Sequence, residues 1–147
     1  MRKMIFIVLV VITGCQSTTI SEQEVVQSLD VLFEIVDNEI DRLDEIVTND
    51  FYIFENSRKY TKDEFVDYVK SFGDFTSERT MNNITVSTDV SSAHLTMTHH
   101  GEFLVNNGKQ KLIYDWIESA FLKKEDNTLK FDFFFSEAVF DTIINID

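Results

Sequence analysis

This chain has no proline, one cysteine, four glycines and few basic residues among its 147 positions. Without proline it has no Pro-rich linker of the stiff, extended kind. A single cysteine excludes an intrachain disulfide and a cysteine-ligated metal cluster, so the fold must be held by its core. Fourteen phenylalanines can supply that core. There is no Gly-rich phosphate loop, no serine nucleophile elbow and no zinc motif, and no cofactor is expected. Thirteen Lys and Arg stand against 26 Asp and Glu, a formal net charge of −13. Nucleic acid is therefore excluded as a partner, because phosphate recognition needs clustered cations. The acidity reads either as a solvated surface or as a match for a cationic partner.

The cysteine stands at the end of Met1-Arg-Lys-Met-Ile-Phe-Ile-Val-Leu-Val-Val-Ile-Thr-Gly-Cys15. Arg2 and Lys3 form a short positive region, Met4 to Ile12 a continuous apolar run, and Thr13 and Gly14 are small. This is the layout of a secretory signal peptide. The run is too short to span ~30 Å of hydrocarbon as a helix. The ending Ile12-Thr13-Gly14-Cys15 resembles the lipobox of bacterial lipoproteins. That resemblance implies cleavage before Cys15, lipidation of its thiol with acylation of the new N-terminus, and a protein held on a membrane facing the periplasm or the cell exterior. Several acyl chains hold firmly where one holds marginally. The expected organisation is a signal peptide over 1–14, a lipidated tether over 15–20 and one domain over 21–142.

Within that domain the hydrophobic period is first helical, then alternating. Ser21 and Glu24 fit a capping box, and Val25, Leu29, Leu32, Phe33, Val36 and Ile40 recur at helical spacing. The pattern predicts a helix over residues 21–48 with a break near Asp41. Phe51 to Phe54 reads as a short strand, Glu55 to Ser57 as a turn and Arg58 to Tyr60 as a return strand. Thr61 with Glu64 opens a second helix that Gly73 ends. Strands follow over 80–88, 91–105 and 111–123, with Asn106-Asn107-Gly108 a hairpin turn. In the last strand Leu129, Phe131, Phe133 and Phe135 alternate. Helices followed by a four-strand antiparallel meander indicate an α+β domain.

The order and spacing of these elements resemble the nuclear transport factor 2-like superfamily, especially its SnoaL-like bacterial branch. The resemblance is carried by the long first helix, Asp50-Phe51 leading into a short strand, the capped helix from Thr61, and the hairpin Ile117 to Phe131 with its polar turn at Asp126-Asn127-Thr128. It implies a curved sheet forming a cone that can hold a small ligand, and chains that often pair as homodimers. Members include isomerases, cyclases, dehydratases and non-enzymatic binding modules, so fold alone does not choose among them.

Four residues are candidates for chemistry. His99 lies in phase with Leu95, Met97, Phe103 and Val105, and is either a general acid or base or a core histidine bonded to backbone or water. Asp115, between Ile113 and Ile117, is a pocket base if desolvated and a surface carboxylate if not. The resemblance to SnoaL-like and ketosteroid isomerase-like enzymes implies a pocket acid of this general sort. Tyr114 and Trp116 face the other way from Asp115. They read as a stacking wall for a small apolar ligand, as a dimer surface, or as core. His94 and His100, six positions apart on a strand, are ~20 Å apart and no metal site is expected. The leading expectation is a membrane-anchored binding or accessory module. The alternative is a small-molecule enzyme using a pocket Asp or His as proton carrier. An aromatic plug of Phe131, Phe133 and Phe135 would leave no room for that enzyme, and a flat apolar face around Trp116 would indicate a structural envelope protein instead.

Overall fold

The computed structural model describes residues 19–146, so the expected signal peptide and the expected lipidation site Cys15 lie outside the described residues. Helix α1 (Glu22–Asn38) starts from the capping box of Ser21 and Glu24 and buries Val25, Leu29, Leu32 and Ile35. A short 3₁₀ turn, Ile40–Glu45, takes the place of its expected continuation. Strands β1 (Val47–Glu55) and β2 (Arg58–Thr61) form a hairpin. Helix α2 (Lys62–Lys70) follows from the capping box of Thr61 and Glu64. Gly73, at φ +69°, then reverses the chain, a conformation that costs glycine little. The long strands β3 (Thr76–Thr88), β4 (Ser92–Val105), β5 (Gln110–Glu125) and β6 (Thr128–Asn145) complete the chain.

All six strands share one sheet in the order β2-β1-β6-β5-β4-β3. The meander is as expected. Its joining to the early hairpin through a parallel pairing of β1 with β6 is the addition, a long-range contact that no local pattern announces. Both helices pack on one face, and the core runs between α1, α2 and the inward side chains of β1, β4, β5 and β6. Among the described residues no helix is long and apolar enough to cross a membrane.

The last strand corrects one expectation. The β5–β6 register slips between Phe121 and Leu122, where Phe131 pairs with Leu122 but Phe133 with Phe121. Asp132 is the extra residue of a β-bulge. Phe131 and Phe134 therefore face inward, and Phe133 joins Tyr52 and Phe54 in an aromatic cluster on the outer face. Phe131, Phe133 and Phe135 do not line up as a plug, and the cone stays open.

Candidate functional site: an aromatic chamber with a polar floor

The open end of the cone holds a cavity of about 140 Å³. Its walls come from every layer: Phe33 of α1, Tyr68 of α2, Phe72 and Phe75 of the following loop, Phe103 of β4, and Tyr114 and Trp116 of β5. Tyr114 and Trp116 stack at 4.9 Å and 19°, and Phe103 meets Trp116 edge-on. Gly101 makes that arrangement fit. A Cβ there would stand 2.7 Å from the Trp116 ring and 2.9 Å from the Phe103 ring.

The polar floor follows from strand register. Glu55 of β1 pairs with Ser136 of β6, and Ser136 pairs with Glu118 of β5, so the three side chains form one row across the sheet. Residues paired directly across strands share a face. Glu118 is buried, accepting a hydrogen bond from Ser136 at 3.2 Å and lying 3.1 Å from Nδ1 of His99. His99 is only 2 % exposed and sits between the rings of Phe33 and Trp116 at 4.8 and 4.9 Å. Its Nε2 lies 3.5 Å from Arg79, which grips Asp37 of α1 in a two-pronged ion pair at 2.6 and 2.7 Å. Such forked pairs are strong and directional. A continuous polar chain thus runs from Asp37 through Arg79, His99 and Glu118 to Ser136.

Glu55 lies beside the end of this chain, next to Ser136. It lines the cavity, and among the described residues it has no ion-pair partner. Burial, with the Glu118 carboxylate nearby, pushes its carboxyl up to about 7, only partly offset by Ser136, Arg79 and Trp116. The Trp116 indole N–H lies near enough to draw that value down slightly, yet it is buried and meets no acceptor at hydrogen-bond geometry. Burial and the Glu55 charge push the Tyr68 phenol up to about 12, and burial raises Tyr114 too.

The structure brings Tyr114 and Trp116 to the chamber, on its concave face. His99 lies behind the wall rather than in it, with its Nδ1 on the Glu118 carboxylate. Asp115 is elsewhere. It points to the outer face, about half exposed, and pairs with His100 at 2.7 Å, so it is not desolvated between Ile113 and Ile117. His94 bonds Ser119, apart from His100. Sequence reasoning passed over Glu55, Arg79 and Glu118. A signal existed for two of them: Glu55 continues the inward phase of Phe51 and Ile53, and Glu118 continues that of Tyr114 and Trp116.

No family model matches the chain, and no curated protein matches it in sequence. Solved structures do match in shape. A type 3 hexachlorocyclohexane dehydrochlorinase from Novosphingobium barchaimii is 14% identical, with 83% of this chain and 88% of that one covered at a TM-score of 0.67. A nuclear transport factor 2-like protein from Cytophaga hutchinsonii is 12% identical, with 82% and 100% covered at 0.68. The association domain of a Caenorhabditis elegans calmodulin-dependent kinase is 16% identical, with 78% and 93% covered at 0.66. At these identities the likeness speaks for architecture alone, and the architecture is the nuclear transport factor 2-like α+β cone.

Proposed function

We propose that the chamber is a binding site for a small, mostly apolar ligand, and that the domain carrying it is displayed from a bacterial membrane by lipid on Cys15. One observation carries the reading: an open cavity of about 140 Å³ with aromatic walls and a few convergent polar groups. Ligand sites are usually of this kind, apolar for affinity and sparsely polar for orientation. The lipid anchor rests on the lipobox-like ending at Cys15 and on nothing in the folded domain. Trp116 is the only tryptophan and lines the chamber, so its fluorescence reports occupancy directly. A set of small aromatic and alicyclic compounds is expected to change that fluorescence and raise the melting temperature together. If no compound does both, the chamber is not a ligand site.

A second reading has its own support. Glu55 combines a place in the cavity with a pKa of about 7, as a general base or acid needs at neutral pH. In that reading the domain is a proton-transfer enzyme with Glu55 as the carrier, in place of Asp115 or His99. A dehydrochlorinase and a kinase association domain occur among the structural neighbours, so the fold accommodates either reading. Turnover abolished in Glu55→Gln with ligand binding retained would mark the enzyme. Binding without turnover in the native protein would mark the receptor.

A further inference from the structure

The charges around the chamber do not balance. Two carboxylates, Glu55 and Glu118, face it from β1 and β5. Among the described residues Arg79 of β3 is the only cation lining it, and Asp37 of α1 already holds both of its prongs. His99 of β4 serves Glu118 through Nδ1. Tyr68 of α2 and Tyr114 of β5 stay neutral, with phenols pushed up by burial. Ser136 of β6 is uncharged. What remains is one carboxylate, Glu55, without a cation in an apolar setting. A carboxylate drawn largely out of water in that position tends to stay protonated or to acquire a positive partner.

The walls suit such a partner. The Arg79 guanidinium already lies 4.8 Å from the ring of Phe33 and 4.8 Å from that of Phe103. Aromatic faces in this cone therefore accept a cation, as ring quadrupoles do. Tyr114, which lines the chamber near Glu55, is the second aromatic surface, while the Trp116 ring is covered by Tyr114 on one side and His99 on the other. Trp116 is 8 % exposed, and its indole N–H has no acceptor. An ionised Glu55 would supply that acceptor while facing a ligand cation with its other oxygen.

We propose that the chamber takes an apolar amine, its ammonium ion on Glu55 beside Tyr114 and its hydrocarbon body towards Phe72 and Phe75. This rests on the chamber being a ligand site and names the chemistry of the ligand. An anion is disfavoured by the two carboxylates. A neutral ligand would leave Glu55 as it is now, with no charge to meet.

Three probes of one shape test it: 2-phenylethylamine, 2-phenylethanol and 3-phenylpropanoate. They are titrated into the full chain in lipid nanodiscs, with empty nanodiscs as control, and read by Trp116 fluorescence and calorimetry. At pH 8 the amine is expected to bind roughly tenfold or more tighter than the alcohol, and the acid weakest, since a close ion pair in a partly dry site is worth at least that factor. Lowering the pH to 5.5 protonates Glu55 while the amine stays charged, so amine affinity is expected to fall about tenfold and alcohol affinity to hold. Glu55→Gln is expected to reproduce that loss at pH 8 and remove the pH dependence. If the alcohol binds as well as the amine, the ligand class is wrong and the chamber stands. If none of the three binds, both readings fall.

Discussion

At the scale of the residue, Glu55 makes fold stability depend on pH. Its carboxyl is at about 7 in the folded chain, against an ordinary value of 4.5. A raised folded-state pKa means that the native form binds the extra proton. The stability this brings is complete below the unfolded value of 4.5 and is lost as pH rises through 7. Between pH 5 and pH 8 the loss assignable to Glu55 is roughly 2 kcal/mol. Urea denaturation of native protein and Glu55→Gln at both pH values reads it as the difference of differences, and equal pH slopes would refute it. Gly101 is a second lever. A Cβ at this position would overlap the Trp116 and Phe103 rings, so Gly101→Ala must push them apart, at about 1–3 kcal/mol for an overpacked site. The expected signs are a lower urea midpoint and an altered Trp116 emission, and an unchanged emission would mean the ring is not seated on Gly101. These residues also show what alternation discloses. Tyr114, Trp116 and Asp115 separate cleanly into two faces by period, but period does not say which face is concave. Once curvature puts Tyr114 and Trp116 inside, Asp115 goes to water with His100. Glu55 read as a turn because its neighbours Asn56 and Ser57 are turn residues at positive φ, although it completes the inward phase of β1.

At the scale of the element, capping and hairpin signals were legible and register was not. Ser21 with Glu24, Thr61 with Glu64, and Asn106-Asn107-Gly108 each mark a boundary through a few adjacent residues, and the structure places α1, α2 and the β4–β5 turn there. The bulge at Asp132 depends instead on distant partners. Its side chain accepts from Thr48, 84 residues away, at 2.9 Å and pairs with Lys123 on the neighbouring strand at 2.8 Å. That bulge decides which phenylalanines are core. Phe134 is 3 % exposed and packs against Phe131 and Phe33. Phe133 rests against Tyr52 on the other side. Phe134→Ala is therefore expected to cost about 3–5 kcal/mol, as large-to-small changes in a core do, and Phe133→Ala on the order of 1 kcal/mol. Chemical denaturation of the two variants compares them directly. The reverse order would mean that β6 alternates without a bulge, and the chamber would then be filled.

At the scale of the whole molecule, the chain enters the cone at the end away from its mouth. The Ile20 N–H donates to the Asp89 carbonyl at 3.0 Å, in the turn that joins β3 to β4. From there β4 runs from Ser92 to Val105, and its last residues, Phe103 and Val105, reach the chamber. Strands rise ~3.3 Å per residue, so turn and mouth stand tens of ångströms apart. From Cys15 to Ile20 a fully extended chain covers only about 18 Å. A lipid on Cys15 would then hold the β3–β4 end near the bilayer and leave Phe72 and Phe75 facing away from it. The anchored chamber would draw its ligand from the aqueous side rather than from the lipid. Acrylamide quenching of Trp116 in vesicle-bound protein examines this, because the quencher must enter through the mouth. Inserting ten Gly and Ser residues after Cys15 is expected to leave the quenching constant unchanged, since a mouth already facing solvent gains nothing from a longer leash. A rise of severalfold would mean that the bilayer covers the mouth and that the ligand arrives through the membrane.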